Sequence, residues 1–316
     1  MNLRKSIVLG LFLFTGCGEP SANSDLDLVG GSKARTGQYA SAILFMGAAG
    51  SSCTATKVSN RHLLTAAHCV TDSNGKLALD KRAGEAIAAT NFPSRDRADT
   101  SKWHSGKIKS VAVHEEWTSQ CLLPQSGCLT RSVDLAVIEF DADLPSQWPN
   151  ARIDQRNVLD ADKVTMVGYG CEVAVGSGPR TTLSNKKYGD AEVISSFKVN
   201  DRAPIVPAGE LKKYASRYLL TPGRNFAGQT SADRASLCPG DSGGPVYRAG
   251  SDNIVVGVNS HMIPEALRAG DALNTLLTGT SALNAHTRLI DPWRQTNAMT
   301  WLQSKLPASA FTVSTR

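Results

Sequence analysis

The chain lacks several features that would have settled its class at once. Its one conspicuous apolar run near the start, Ile7–Phe14, falls far short of the ~20 residues needed to cross a bilayer. Cys-x-x-Cys and His-x-x-x-His spacings are both missing, which removes the usual zinc frames and leaves no metal or cofactor to expect. There is no internal repeat and no low-complexity tract. Charge of one sign is not concentrated either. The net charge of +6 drops to about +4 without Arg4 and Lys5, too mild and too dispersed for a nucleic-acid partner. Thr71-Asp-Ser-Asn-Gly75 has too few acids at the right spacing for a calcium loop and reads as a turn. The remaining composition, 41% hydrophobic and 20% charged over 316 residues, suits two compact cores or one large unit.

Against that background one stretch stands out: Ser236-Leu-Cys-Pro-Gly-Asp-Ser-Gly-Gly-Pro-Val-Tyr247. Ser242 follows an acid and precedes two glycines, so the backbone can turn sharply and leave the hydroxyl exposed. The N–H groups of Gly240 and Ser242 can converge on one spot, where a tetrahedral oxyanion would form. A serine hydroxyl at neutral pH needs a neighbouring base, and His68 in Leu63-Leu-Thr-Ala-Ala-His-Cys-Val70 supplies an imidazole. That base needs a buried carboxylate to fix its tautomer. Asp134, in Arg131-Ser-Val-Asp-Leu-Ala-Val-Ile-Glu-Phe140, sits among apolar neighbours where an unpaired acid would be costly.

Taken together, Thr65-Ala-Ala-His-Cys69, Asp134-Leu-Ala-Val-Ile138 and Gly240-Asp-Ser-Gly-Gly-Pro245, in that order, resemble the trypsin/chymotrypsin family of serine endopeptidases. The resemblance runs from about Leu28 to Leu306. It implies an all-β fold of two antiparallel six-stranded barrels, about 28–155 and 156–309, with a C-terminal helix. His68 and Asp134 would come from the first barrel and Ser242 from the second. It also implies a monomer without cofactor acting on protein or peptide substrates. A catalytically silent, protease-fold binding protein is the alternative, although such members usually lose a triad residue and none is lost here. An esterase with the same triad is disfavoured for want of a nucleophile elbow.

Coarse periodicity fits the resemblance. Ala42–Met46, Thr54–Val58, Ile108–Val113 and Val133–Phe140 read as strands, as do Val164–Val167 and Ile254–Val258 in a second strand-rich half that starts near Lys163. The span from Glu172 to about Ala235 is long and polar, and Lys186-Lys187 and Lys212-Lys213 in it read as solvated charges. Asp291-Pro-Trp293 reads as a capped helix start, with Met299, Leu302 and Leu306 on one face.

Met1–Cys17 reads as an export signal: Arg4 and Lys5, the apolar run, then Phe14-Thr-Gly-Cys17, which is similar to a bacterial lipobox. Cys17 would be lipidated and anchor the exported protein to a membrane; the rival is ordinary secretion with an unmodified Cys17. Residues 18–27 read as a tether or pro-segment ahead of a protease domain at 28–309. Leu28-Val-Gly-Gly31 resembles the family's mature N-terminus, whose freed amino group pairs with the acid beside the nucleophile, here Asp241. Asp27 precedes the cut, so another protease would make it, turning a lipid-anchored zymogen into a released enzyme.

The six other cysteines allow fifteen pairings. The resemblance implies Cys53–Cys69, and Cys121 and Cys128 are close enough to staple the loop between them. That leaves Cys171 with Cys238, a substitute for the family's usual bridge to a later cysteine, since no cysteine follows Cys238. It also places Ser236 at the base of the primary specificity pocket, with Ser260, His261, Met262 and Asn284 along its sides. No acid stands at the base, so a preference for Arg or Lys is not expected, and bulkier wall residues imply small or medium uncharged side chains. His62, His104, His114, His261 and His286 read as surface or structural histidines, none with an acid–serine context like that of His68.

Overall fold

A computed structural model describes residues 28, 31–46, 52–72, 75–79, 85–89, 104–117, 132–170, 185–202, 208–223, 234–264 and 281–312. Six strands close into a barrel in the order β2 (Ala42–Met46), β3 (Ser52–Lys57), β4 (His62–Thr65), β7 (Ala136–Phe140), β6 (His104–Val113) and β5 (Glu85–Ala89). All of its pairs are antiparallel. Strand β2, Ala-Ile-Leu-Phe-Met, is buried along nearly its whole length. Closure puts one face inside the barrel, and the second sheet packs near its other face, so the apolar run needs no polar alternation.

The second sheet has eight strands. Six follow one another as β10 (Lys187–Glu192), β9 (Lys163–Gly168), β12 (Pro245–Arg248), β13 (Ile254–Pro264), β14 (Ser281–Arg288) and β11 (Tyr218–Pro222). An isolated bridge between Ile194 and Leu220 brings its two ends together, so the six curl toward a second barrel. Two short strands add to it: β1 (Ser32–Lys33) pairs with β10, and β8 (Arg152–Ile153) runs parallel to β13. The architecture is thus the expected pair of antiparallel barrels, with the second sheet carrying two strands more than six.

The largest apolar cluster does not stop at the first barrel. It joins Ile43, Phe45, Leu64 and Ile138 to Val167, Tyr247 and Val258 of the second sheet, and to Trp301, Leu302 and Leu306 of the C-terminal segment. The C-terminal helix is α3 (Ala298–Lys305), shorter than Asp291 implied. Asp291 caps a turn instead, its carboxylate accepting the amides of Trp293 at 2.8 Å, Thr296 at 2.8 Å and Gln295. Arg294 at φ 55° then redirects the chain before the helix begins.

The polar span after Glu172 holds more order than its composition implied: α1 (Ser196–Arg202), α2 (Leu211–Arg217), β10 and β11 all fall within it. Lys186 and Lys187 are buried, not solvated. The Lys186 ammonium donates to the Tyr39 carbonyl at 2.8 Å and lies over the Tyr169 ring, and burial lowers its pKa to about 7. Lys213 behaves as expected, pairing with Glu210.

Candidate active site

Strand register brings the first two predicted residues together. Thr65 on β4 faces Ala136 on β7, so the chain leaving β4 and the chain entering β7 lie at the same end of the barrel. His68 then meets Asp134 there. His68 sits on a 3-10 turn, Ala67–Cys69, and Cys69 is bonded to Cys53 on β3, fixing the turn against its own barrel. The His68 Nδ1 lies 2.7 Å from Asp134 Oδ2, and the His68 amide donates to Oδ1 at 3.0 Å.

Asp134 is also held from the second sheet. Ser260 Oγ donates to its Oδ2 at 2.6 Å, and Thr287 Oγ1 donates to its backbone carbonyl at 3.0 Å. Tyr218 donates to the neighbouring Ser132 carbonyl at 3.0 Å. Burial pushes the carboxyl pKa up, but the His68 charge and hydrogen bonds from His68 and Ser260 outweigh it, and Asp134 stays below its ordinary value. For His68, burial acts downward and the charge and bond of Asp134 act upward. Asp134 wins, so the imidazole is more basic than usual.

The Ser242 loop enters from the second sheet. Pro245 pairs with Val258, and backbone bonds join Gly243 and Gly244 to Asn259 at 2.8 Å each. The Ser242 carbonyl accepts the Thr54 amide of β3 at 2.8 Å and lies 3.6 Å from Cys69 Sγ, next to the histidine turn. The motif's first two glycines are required here. Gly240 has φ 107° and Gly243 φ 80°. A Cβ on Gly243 would lie 2.1 Å from Thr65 Oγ1 and 2.3 Å from the Thr54 carbonyl. Among the described residues, the amides of Gly240 and Ser242 make no hydrogen bond, so both N–H groups remain available.

Thr54 is a residue the sequence did not single out. Its amide donates to Ser242, its hydroxyl donates to the Gly240 carbonyl at 2.8 Å, and that hydroxyl accepts the Tyr169 amide at 3.1 Å. Nothing in a Ser-Cys-Thr-Ala-Thr strand signals a clasp between two sheets. Asp241, beside Ser242, is fully buried, its carboxylate accepting the amides of Gly170 at 2.8 Å and Cys238 at 2.9 Å. Gly168 and Gly170 leave the space it fills, since a Cβ on either would fall within 2.4 Å of its oxygens. Burial raises its pKa to about 7. Leu28 is buried against Met166, Ala235 and Leu237, the last two on the same nucleophile loop.

Of the predicted pocket residues, Met262 and Asn284 lie beside the Ser236 segment, whereas Ser260 and His261 turn toward Asp134 and Tyr218. Ser236 is buried, and Met262 packs against Ala235 and Leu237. Asn284 is buried too; its amide group bonds the Leu237 N–H at 2.8 Å and the Ala235 carbonyl at 2.9 Å, bracketing Ser236. It also reaches Thr221, which bonds His286 at 3.0 Å, and His286 bonds Asn259 at 3.0 Å. This internal polar network, with His286 kept neutral by burial, went unread in the sequence. His261 departs from expectation: it does have an acid–serine context, through Ser260 to Asp134.

Cys238 is disulfide-bonded. Cys17, Cys121, Cys128, Cys171 and Asp27 lie outside the described residues. The described residues offer one cluster of metal-capable side chains, Cys53, His68 and Cys69, but both sulfurs are already joined to each other. Gly240-Asp-Ser-Gly-Gly244 does spell the Gly-x-Ser-x-Gly elbow pattern, contrary to the sequence reading. What differs is context: strand β12, not a helix, follows the serine.

A family model described as Trypsin matches residues 28–271. The chain belongs to the trypsin family. Solved structures agree at the level of fold. An inactivated protease paralogue of the scabies mite is 17% identical with a TM-score of 0.56, over 87% of this chain and 97% of that one. Human heparin binding protein is 15% identical with a TM-score of 0.54, over 89% and 98%. The likeness to both solved structures is one of fold, over a larger share of the chain than the family model matches.

Proposed function

We propose that this chain is an exported serine endopeptidase in which Ser242 attacks the peptide carbonyl and forms an acyl-enzyme. The observation that carries the reading is the His68–Asp134 bond at 2.7 Å, made beside a loop that holds Ser242 against the histidine turn. Because Nδ1 is engaged by Asp134, Nε2 is the nitrogen left to take the Ser242 proton and return it to the leaving amine. The amides of Gly240 and Ser242 stabilise the oxyanion. Asp134 orients the ring and stabilises the imidazolium. The primary pocket, with Ser236 at its base and Met262 and Asn284 about it, accepts small or medium uncharged side chains.

One finding favours a second reading. A matching solved structure is described as an inactivated protease paralogue, so this fold also occurs without protease activity, and another is named for binding heparin. The two readings separate on one preparation of the trimmed protein. A fluorophosphonate should label Ser242, and Ser242→Ala should abolish labelling and lower turnover by about 10⁶-fold. The same protein should cleave tetrapeptides best after Ala or a residue of similar size. An unlabelled, folded protein would decide for the binding reading, and best cleavage after Arg would overturn the pocket assignment alone.

A further inference from the structure

The pairing of β13 with β14 slips at one point: Asn259 faces His286 and His261 faces Ala285, leaving Ser260 as an extra residue. Such a bulge re-aims the side chain it carries. Ser260 Oγ thereby stands 2.6 Å from Asp134 Oδ2 and 3.1 Å from His261 Nδ1.

Proton counting fixes the roles. An ionised carboxylate only accepts, and a serine hydroxyl has a single hydrogen to give. Ser260 gives it to Asp134, so the contact with His261 requires the proton on Nδ1. A neutral imidazole with Nδ1–H has its lone pair on Nε2. That Nε2 is buried and has no hydrogen-bond partner among the described residues. The ring stands edge-on to Tyr218 with centroids 5.0 Å apart, which holds its plane.

We infer that His261 is a positioning residue for the candidate triad: it fixes a hydrogen-bond chain from its Nδ1 through Ser260 to Asp134 and so sets how strongly Asp134 supports His68. The inference rests on the serine-hydrolase reading for its effect on rate, but not for its hydrogen-bond chain. Donation by His261 polarises the Ser260 O–H and strengthens its bond to Asp134. A better-satisfied carboxylate supports the His68 imidazolium less. The titratable or charged groups around this chain are His68 beyond the end of β4, Tyr218 of β11, His286 of β14, and Arg217 at the end of α2, which is paired with Glu116. Burial keeps His261 neutral, with a pKa of about 4, so it stays an uncharged donor while His68 titrates.

Nitrogen NMR of the full chain carrying ¹⁵N-histidine tests the chain of bonds directly. His261 should show Nδ1–H with an unprotonated Nε2, unchanged from about pH 5 to 9. An Nε2–H tautomer, or titration in step with His68, would overturn the inference whether or not the protein hydrolyses anything. His261→Phe keeps an aromatic edge toward Tyr218 and removes the donor. It should leave KM nearly unchanged and move the acid limb of kcat/KM upward by about half a unit, as Asp134 supports the His68 imidazolium more strongly. His261→Asn, whose amide can reproduce the Nδ1 donor, should restore the parental limb. A folded His261→Phe with an unshifted limb would also defeat it. If Ser242 resists labelling while the tautomer is as stated, the catalytic reading falls and the bonding assignment stands.

Discussion

Asp241 is a fully buried carboxyl group with two backbone amides to satisfy it. Its pKa of about 7 in the folded chain stands above the ordinary 3.8. Between those values the folded chain holds a proton that the unfolded chain has released. Its contribution to stability is therefore complete below about pH 4 and is lost as pH rises to about 7. Urea unfolding of the untrimmed chain should show this loss. Protein verified by N-terminal sequencing to begin at Leu28 should not, because a paired α-amino group would keep Asp241 ionised. Equal slopes for the two forms would argue against the Leu28–Asp241 pair. Residues such as Asp241, His68 and Ser242 were legible in the sequence because their local strings are distinctive. His261 was not: Ser260 is its neighbour in sequence, but Asp134 lies 126 residues from that serine, and the bulge that joins them has no local signature.

Among the elements, β3 bears more of the site than its sequence implies. Cys53 ties it to the histidine turn, and Thr54 ties it to the nucleophile loop. Thr54→Val removes the hydroxyl that donates to the Gly240 carbonyl and accepts the Tyr169 amide, so both of those bonds are lost. Stability should fall by about 1–3 kcal/mol in denaturant unfolding. On the proposed mechanism turnover should fall by about 10–100-fold, because the Gly240 and Ser242 amides shift relative to His68. Unchanged labelling kinetics in a folded variant would count against that role. Strands with apolar alternation or continuous burial, such as β2 and β9, were readable directly. The segment holding β10, α1, α2 and β11 was not. Its helices are seven residues each, too short for a clear period, and its lysines read as solvent charges. Lys186 is instead accommodated by carbonyls of the Gln38–Tyr39 turn, a partner that sequence distance conceals.

For the whole molecule, segments near the two ends of the described chain strap the barrels to each other. Strand β1 precedes the first barrel yet pairs with the second sheet, and Trp301 and Leu302 follow the second sheet yet join the first core. Leu28 is already seated beside the nucleophile loop. If Cys17 is lipidated, cutting at Asp27–Leu28 should move the protein from the detergent phase to the aqueous phase without unfolding it. Chain that begins at Leu28 but stays in the detergent phase would refute the tether.

Thr54 reaches Ser242 and Gly240 only when both sheets have formed in register. On the proposed function, a chain still folding would carry Ser242 and His68 on separate, unmated halves. The proposed hydrolytic power would then appear only once the two sheets have mated, and neighbouring chains would be spared digestion by half-built ones.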